Sequence, residues 1–508
     1  INMDPTTHGV ETERMKEFKK RGLQDQLPQT LFQKNRAQFM KMFKAQQGEK
    51  LPTNAVGFFK GGSEVPMYSG DVPYPDYQEA FFYYLFGVEE MDCYGAIDFV
   101  NERSILFVPK LDNMYKIWMT VLSLEELKTK YNLIDEIRYV DEMETYFKEL
   151  QPETVFINKG VNSDSGLDTL VAEDKYYKDV TKASTDDKVM HNILCGSRVI
   201  KNEEELDIMR WASKITCEAH CYTLKNCKVG MRESQLESFF NYDCQQRYFC
   251  GRVQPYHSIC GCGPSAATLH YPDNNKWLVD GQFILMDQGH QVHHYVSDVT
   301  TSFPANGKFT EKQKEIYNIV LKVNETIFKN LKPGVNWKDM HLMAEKITLE
   351  GLKELGLVTG DIDEMMESRL GFVFQPHGLG HLIGLDVHDV GGYMDNAAGN
   401  ATPERDTRPG LKNLRTARIM EPGMCITIEP GCYFRDFLFN GEIDPTKVKV
   451  EKKFLNIEKI KEYQKEVNGV RIEDVITITK DGCENLSNGV PRTVEEIEAC
   501  MAGKEWRQ

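Results

Sequence analysis

The sequence predicts an α/β (α+β) protein built in two successive parts, the second containing two copies of one supersecondary unit. Three observations carry that prediction. The 508 residues exceed what a single hydrophobic core organises and point to about three domain-sized units. Between about residues 30 and 195, short β-like runs alternate with charged helical stretches. From near Ile200 onward, long amphipathic helices run into two similar texts, Lys225-Asn226-Cys227-Lys228-Val229-Gly230 and, 104 residues later, Lys329-Asn330-Leu331-Lys332-Pro333-Gly334.

In the first part, Ala96–Val100, Ser104–Val108 and Val155–Ile157 read as strands and Ser123–Tyr131 as a helix. No Walker motif and no nucleophile elbow occurs. In the second part, Asn202 opens a helix whose apolar positions Leu206, Met209, Ala212, Ile215 and Ala219 keep helical spacing, with a stop expected at Gly230. A second helix follows from Glu233. The other copy repeats the pattern with a helix over Glu311–Asn330 and another from Lys338.

Composition excludes several classes. With 41% hydrophobic and 27% charged residues the chain is of the globular, soluble kind rather than fibrous, collagenous or disordered. No window approaches the roughly 18 uninterrupted apolar residues of a membrane span. A net charge of −16, from 61 basic and 77 acidic residues, opposes a phosphate backbone, and no local basic patch offsets it. Neither a membrane nor a nucleic acid is therefore expected as partner. Thirteen cysteines, an odd number without CxxC, suit reduced thiols and a cytoplasmic location. Cys217 and Cys221 on a helix, and Cys260 and Cys262 in a Gly-rich loop, read as packing positions. No secretion signal is visible, so the sequons at Asn324, Asn400 and Asn485 are expected to carry no glycan.

After the first copy, the apolar strand Phe283–Met286 ends in Asp287, Gln288-Gly289 turns, and a return strand Tyr295–Thr300 carries Asp298. Asp287 alone could be a solvated turn former. For Asp298, between Val299 and Ser297 in a strand, that reading is weaker. After the second copy come His377, His381 and His388 on a Gly-rich segment. His377 and His381 have the i, i+4 spacing of helical zinc sites, but two interior glycines and the missing glutamate argue against one. Next, the strand Met424–Ile428 ends in Glu429, and Gly469–Val475 places Arg471 and Glu473 on one face. Glu421, before its strand, reads as a turn residue.

Each half thus supplies two strand-borne carboxylates, with an imidazole alongside. Mutual repulsion would raise their pKa values unless cations were present. Two divalent ions about 3.5 Å apart would satisfy such an oxygen-rich set; it favours Mn²⁺ over Co²⁺, Fe²⁺ or Zn²⁺, and hydrolysis is the natural chemistry.

These residues resemble the pita-bread metallopeptidases, the family of methionine aminopeptidase, aminopeptidase P and prolidase. The ligand order Asp, Asp, His, Glu, Glu is met by Asp287, Asp298, His381, Glu429 and Glu473. Asp298–Lys308, Pro376–Gly392, Leu414–Arg418, Val490–Met501 and Gly160–Gly166 are most similar to the prolidase branch. The resemblance implies an N-terminal extension (1–30), a creatinase/prolidase-type α/β domain (31–198) and a pita-bread catalytic domain with pseudo-twofold halves (199–508). It implies that Asp287 holds one metal, His381 and Glu429 the other, with Asp298 and Glu473 bridging and Glu429 shuttling a proton. His270 and His388 would line the pocket and His377 would help stabilise an oxyanion. Arg415 would grip a substrate carboxylate, with Arg471 nearby. Trp118 matches a tryptophan that reaches over the site, often from the second subunit of a homodimer; a lone Trp in a helical stretch is otherwise core. The segment Pro272–Lys276 is shorter than the prolidase pattern, which bears on substrate preference. The substrate implied is an Xaa-Pro dipeptide. Action on longer Xaa-Pro peptides is the alternative, which Arg415 and its context count against. A non-catalytic binding protein ranks below both, since all five ligands are present.

Overall fold

The computed structural model describes residues 27–248, 253–393, 404–440, 442 and 450–507. The sequon at Asn400 and residues 1–26 of the expected extension lie outside the described residues. The chain divides into two compact units, one reaching to Arg198 and the other beginning at Val199.

In the first unit, helix α1 (Gln29–Gln47) accompanies a six-stranded mixed sheet of order β4-β3-β2-β1-β5-β6. Its strands are β1 (Ala55–Lys60), β2 (Tyr94–Asp98), β3 (Arg103–Val108), β4 (Glu136–Tyr139), β5 (Thr154–Ile157) and β6 (Ser184–Asp186). β1, β2 and β3 pair antiparallel, while β4 and the β5–β6 side join in parallel. Phe39 and Phe43 of α1 pack on Phe99, with Phe43 and Phe99 stacked at 4.0 Å. The expected helix after Ser123 forms over Leu124–Lys130, because Ser123 and Glu126 make a reciprocal capping box. Trp118 is not core: it is 83% exposed, at the end of the short turn Asn113–Ile117.

The second unit is built from two helix pairs and the strands that follow each. Helix α2 (Glu203–Asn226), capped by Asn202, leads to α3 (Glu233–Tyr248). Helix α4 (Glu311–Asn330), capped by Thr310, leads to α5 (Trp337–Glu354). Both long helices end four residues before the glycine, not at it. The reason is the same in each: Asn226 and Asn330 turn their side-chain amides back onto the carbonyls of Tyr222 and Thr326 at 2.8 Å, and the next residue is extended. Gly230 and Gly334 then take matching left-handed φ values of +87° and +86° and donate to Leu278 and Met420. Leu278 and Met420 in turn donate to Met231 and Val335. The two copies are one unit built twice.

Nine residues beyond Leu278 and beyond Met420 stand Asp287 and Glu429. The first half continues as β7 (Ile259–Cys262), β8 (Phe283–Asp287), the short pair β9 (Gln291–Val292) and β10 (Tyr295–Val296), and β11 (Thr300–Pro304), in the order β11-β8-β7. Cys260 and Cys262 lie within β7 rather than in a loop, because β7 pairs with β8 from Ile259 to Cys262. The second half contributes β12 (Cys425–Ile428), β13 (Gly431–Tyr433), β14 (Gly469–Arg471), β15 (Asp474–Ile478) and β16 (Cys483–Asn485). The order there is β12-β15-β16, with β13 on β14. Phe283, Ile284 and Met286 bury the first half's strand, and Ile426 and Ile428 the second's.

Two expected strands are broken. Ser297–Val299 leave the ladder between β10 and β11, and Ile472–Glu473 leave it between β14 and β15. A regular strand would alternate its side chains across two faces. The breaks free Asp298 and Glu473 to turn toward the seam, where Thr300 and Glu473 make an isolated bridge between the halves.

Candidate metal centre

Asp287 is the last residue of β8 and pairs in register with Thr300 of β11. Asp298, two residues ahead of Thr300, is 5% exposed, and the Tyr256 hydroxyl donates to its Oδ1 at 2.6 Å. Glu429 follows β12 directly. Its amide donates to the Leu379 carbonyl, and Thr427 donates to His381 one pair along, so the His-bearing segment lies on β12 as a makeshift strand. That contact requires Gly380: a β-carbon there would stand 1.9 Å from the Thr427 carbonyl oxygen. The segment is extended, as its interior glycines dictate.

Around His381 the distances are 3.5 Å from Nε2 to Asp298 Oδ2, 3.5 Å to Glu429 Oε1 and 3.9 Å to Glu473 Oε1. These are long for hydrogen bonds. They match ligand atoms grouped about a common ion, which stand about 3–3.5 Å apart when each lies about 2.1 Å from it. His381 Nδ1 faces the Leu382 carbonyl at 3.0 Å, which directs the proton to Nδ1 and leaves Nε2 as a ligand atom. Asp298, His381 and Glu473 offer atoms within 4.8 Å of one another, all buried. Asp287 Oδ1 is buried and has no hydrogen-bond partner among the described residues. A bare carboxylate oxygen in such a place costs on the order of 1–3 kcal/mol unless a cation meets it. The donor set therefore fits a divalent metal.

Among the described residues, the four carboxylates face one fixed cation, Arg471, which is 3% exposed. Its guanidinium donates to Asp287 Oδ2 (2.5 Å), Thr300 Oγ1 (3.1 Å) and the Tyr433 hydroxyl (2.9 Å), so it is fully engaged inside the centre. One such charge does not offset four. Burial, then Asp298, push Asp287 up to about 7; burial, against His381 and Arg471, pushes Glu429 up to about 7; burial and Asp298 hold Glu473 well above the usual range.

The remaining expected residues surround this cluster. His377 shares one nitrogen with the Gly378 carbonyl (2.7 Å) and the other with the Tyr433 hydroxyl (2.9 Å), and burial lowers it to about 3. With its proton on Nδ1, it can donate to a substrate only by giving up the Gly378 bond. His388 stands edge-on to His381 at 4.6 Å, and burial lowers it to about 2. His270 is exposed at the rim, and Arg415 is near enough to lower both His270 and His388. Trp118 belongs to the other unit. Sequence reasoning missed Tyr256, Tyr433 and Thr300, whose side chains hold the carboxylates and the guanidinium. Thr300 Oγ1 donates to Glu473 Oε2 at 2.6 Å.

A family model described as metallopeptidase family M24 matches residues 207–480. The chain belongs to metallopeptidase family M24. A second model, of the aminopeptidase P N-terminal domain, matches residues 32–156 of this M24 metallopeptidase. It is 41% identical to a mouse Xaa-Pro dipeptidase and 40% identical to the human one, each over 94% of both chains. It is 34% identical to a probable Xaa-Pro aminopeptidase of Sordaria macrospora over 88% of this chain and 92% of that one. Among solved structures, Pseudomonas aeruginosa aminopeptidase PepP matches with a TM-score of 0.75 and 28% identity, over 94% of this chain and 99% of that one. A zinc-substituted Escherichia coli aminopeptidase P in complex with product gives 0.74 at 28% identity, over 95% and 100%. The pita-bread architecture expected from the sequence is thus shared with enzymes of known structure.

Proposed function

We propose that this M24 metallopeptidase is an Xaa-Pro dipeptidase that uses two divalent ions. Asp287 would hold one ion, His381 and Glu429 the other, and Asp298 and Glu473 both. Bound there, the ions supply Lewis-acid polarisation of the scissile carbonyl and an acidified water. Glu429, 16% exposed at the open side of the cluster, takes the proton of the attacking water and delivers it to the departing proline nitrogen. Arg471 holds Asp287 and balances charge, while Tyr256 orients Asp298 through the remaining lone pair of Oδ1. Arg415 receives the C-terminal carboxylate of the dipeptide, and His270 and His388 flank the substrate. His377 lines the wall beside Glu429, with 3.7 Å from Nδ1 to Oε2. The observation that carries this reading is the meeting of Asp298, His381 and Glu473 within 4.8 Å at the seam of the halves.

The finer parts of the reading are proposals of the same kind: manganese as the ion, a homodimer in which the partner's Trp118 covers the site, a cytoplasmic location, and domains at 31–198 and 199–508. Among the described residues no helix is long and apolar enough to cross a membrane. The deciding experiment compares Gly-Pro with Gly-Pro-Ala after addition of Mn²⁺ to the chelator-stripped protein. Cleavage of Gly-Pro alone supports the dipeptidase. Preferential cleavage of the tripeptide would instead make it an aminopeptidase like its solved relatives, and no cleavage of either would leave a binding protein.

A further inference from the structure

One guanidinium crosses the seam between the halves without belonging to the machinery above. Arg492 sits just ahead of the C-terminal helix α6 (Val494–Met501). Its backbone is pinned by that helix's capping box: the Arg492 and Thr493 amides donate to Glu496 Oε2 at 2.8 and 3.0 Å, and Glu496 donates back to Thr493 Oγ1 at 3.2 Å. From this anchor Nη1 donates to the Thr300 carbonyl at 2.7 Å. Nη2 donates to the Glu473 carbonyl at 2.5 Å and to Asp474 Oδ1 at 2.7 Å. Thr300 belongs to the first half; Glu473 and Asp474 belong to the second.

Backbone pairing at this place is reduced to the isolated bridge in which the Glu473 amide donates to the Thr300 carbonyl at 3.2 Å. β14 stops at Arg471 and β15 starts at Asp474, so the Glu473 carbonyl lies in a gap between strands. The Asp474 carboxylate that receives Arg492 is itself held by Ser487 Oγ at 2.8 Å and Asn324 Nδ2 at 3.1 Å. A planar fork anchored at its base and clamped on both sides has little freedom.

We propose that Arg492 is a positioning residue for the metal centre. By holding the Thr300 and Glu473 carbonyls on one guanidinium, it adds to the Thr300–Glu473 bridge in setting the distance between the halves. That distance governs how closely Asp298, two residues before Thr300, approaches Glu473. The proposal rests on the reading that these two carboxylates share the ions. Loss of an outer hydrogen-bond partner of this kind costs on the order of 10- to 100-fold in metal affinity.

The test uses the full chain, stripped of metal, with Mn²⁺ alone titrated against a fluorescent chelator. Arg492→Met is compared with Arg492→Lys and with Leu349→Ala, a cavity in the buried core against α5. Arg492→Met is expected to weaken Mn²⁺ binding at least tenfold and Arg492→Lys to recover part of that loss, since an ammonium reaches one carbonyl but not both. Leu349→Ala should lower the melting temperature and leave Mn²⁺ affinity unchanged. Wild-type affinity in Arg492→Met, or an equal loss in Leu349→Ala, overturns the proposal. Should Arg492→Met fail to fold, Arg492→Lys decides: a several-fold loss supports the role and an unchanged affinity ends it. Asp298→Asn separates the two levels, because Mn²⁺ binding as tight as wild type in that variant would refute the site reading and the role of Arg492 with it.

Discussion

A methyl group on Gly380 would drive the His381 segment away from β12, since the space where it would go is filled by the Thr427 carbonyl. Gly380→Ala is therefore expected to cost at least about 2 kcal/mol of stability and to lose divalent ion; thermal melting and metal analysis of the purified variant check both. Arg415→Met should act differently. A charge-assisted bond to a carboxylate contributes on the order of 1.5–3 kcal/mol, so KM for Gly-Pro should rise roughly 10- to 100-fold while kcat stays within a few-fold. An unchanged KM would remove Arg415 from the substrate pocket. At this scale the sequence was informative about charge and silent about support. Carboxylates and histidines stand out against apolar strands, whereas Tyr256 and Tyr433 look like ordinary core aromatics, and only their hydroxyl partners reveal what they hold. Arg471 shows the same limit: its spacing from Glu473 was legible, but its engagement with Asp287 depends on a strand far away in the chain.

Elements were legible where local chemistry decides them and less so where tertiary contacts do. The helix starts expected at Asn202 and Glu311 hold, because Asn202 and Thr310 each make a capping box in the structure. Asp298 and Glu473 lie in runs that read as strands, Tyr295–Thr300 and Gly469–Val475, yet both sit in gaps, since side chains bound for one centre must leave the alternation of the sheet. Helix α5 supplies a pH effect. Burial, with Arg369 nearby, lowers His341 to about 3, below its unfolded value near 6.5. A depressed histidine stabilises the fold above the unfolded value and loses that contribution as pH falls toward the folded one; by pH 5 this amounts to about 2 kcal/mol. His341 Nδ1 has no hydrogen-bond partner among the described residues, so leucine forfeits little at that atom. His341→Leu should accordingly melt at or above the wild-type temperature at pH 7.5 and fall less than wild type on going to pH 5. Parallel melting curves would contradict this account.

Across the whole catalytic unit, the halves meet where charge is densest. Arg471 exchanges hydrogen bonds with Ser302 across the seam, and Thr300 reaches Glu473. Ions bound between them as proposed would act as cross-links of the folded state. At 100 to 1,000 times the dissociation constant such binding adds about 2.7–4.1 kcal/mol. Chelation should therefore lower the melting temperature as well as abolish hydrolysis, and Mn²⁺ should restore both; a chelated protein that melts unchanged would place the ions elsewhere. The duplication itself could be read from the paired Lys-Asn texts, because a helix end and its glycine are local features. How the two copies face each other could not, since that depends on contacts such as Thr300 with Glu473, far apart along the chain.

The proposed sharing of ligands between the halves would also bear on biosynthesis. While a ribosome is still making the second lobe, the aspartates of the first have nothing to close against. With Glu473 as a ligand in the way proposed, catalytic power would arrive in one step rather than by degrees, and a prematurely terminated product lacking Glu473 would be inert toward the peptides around it.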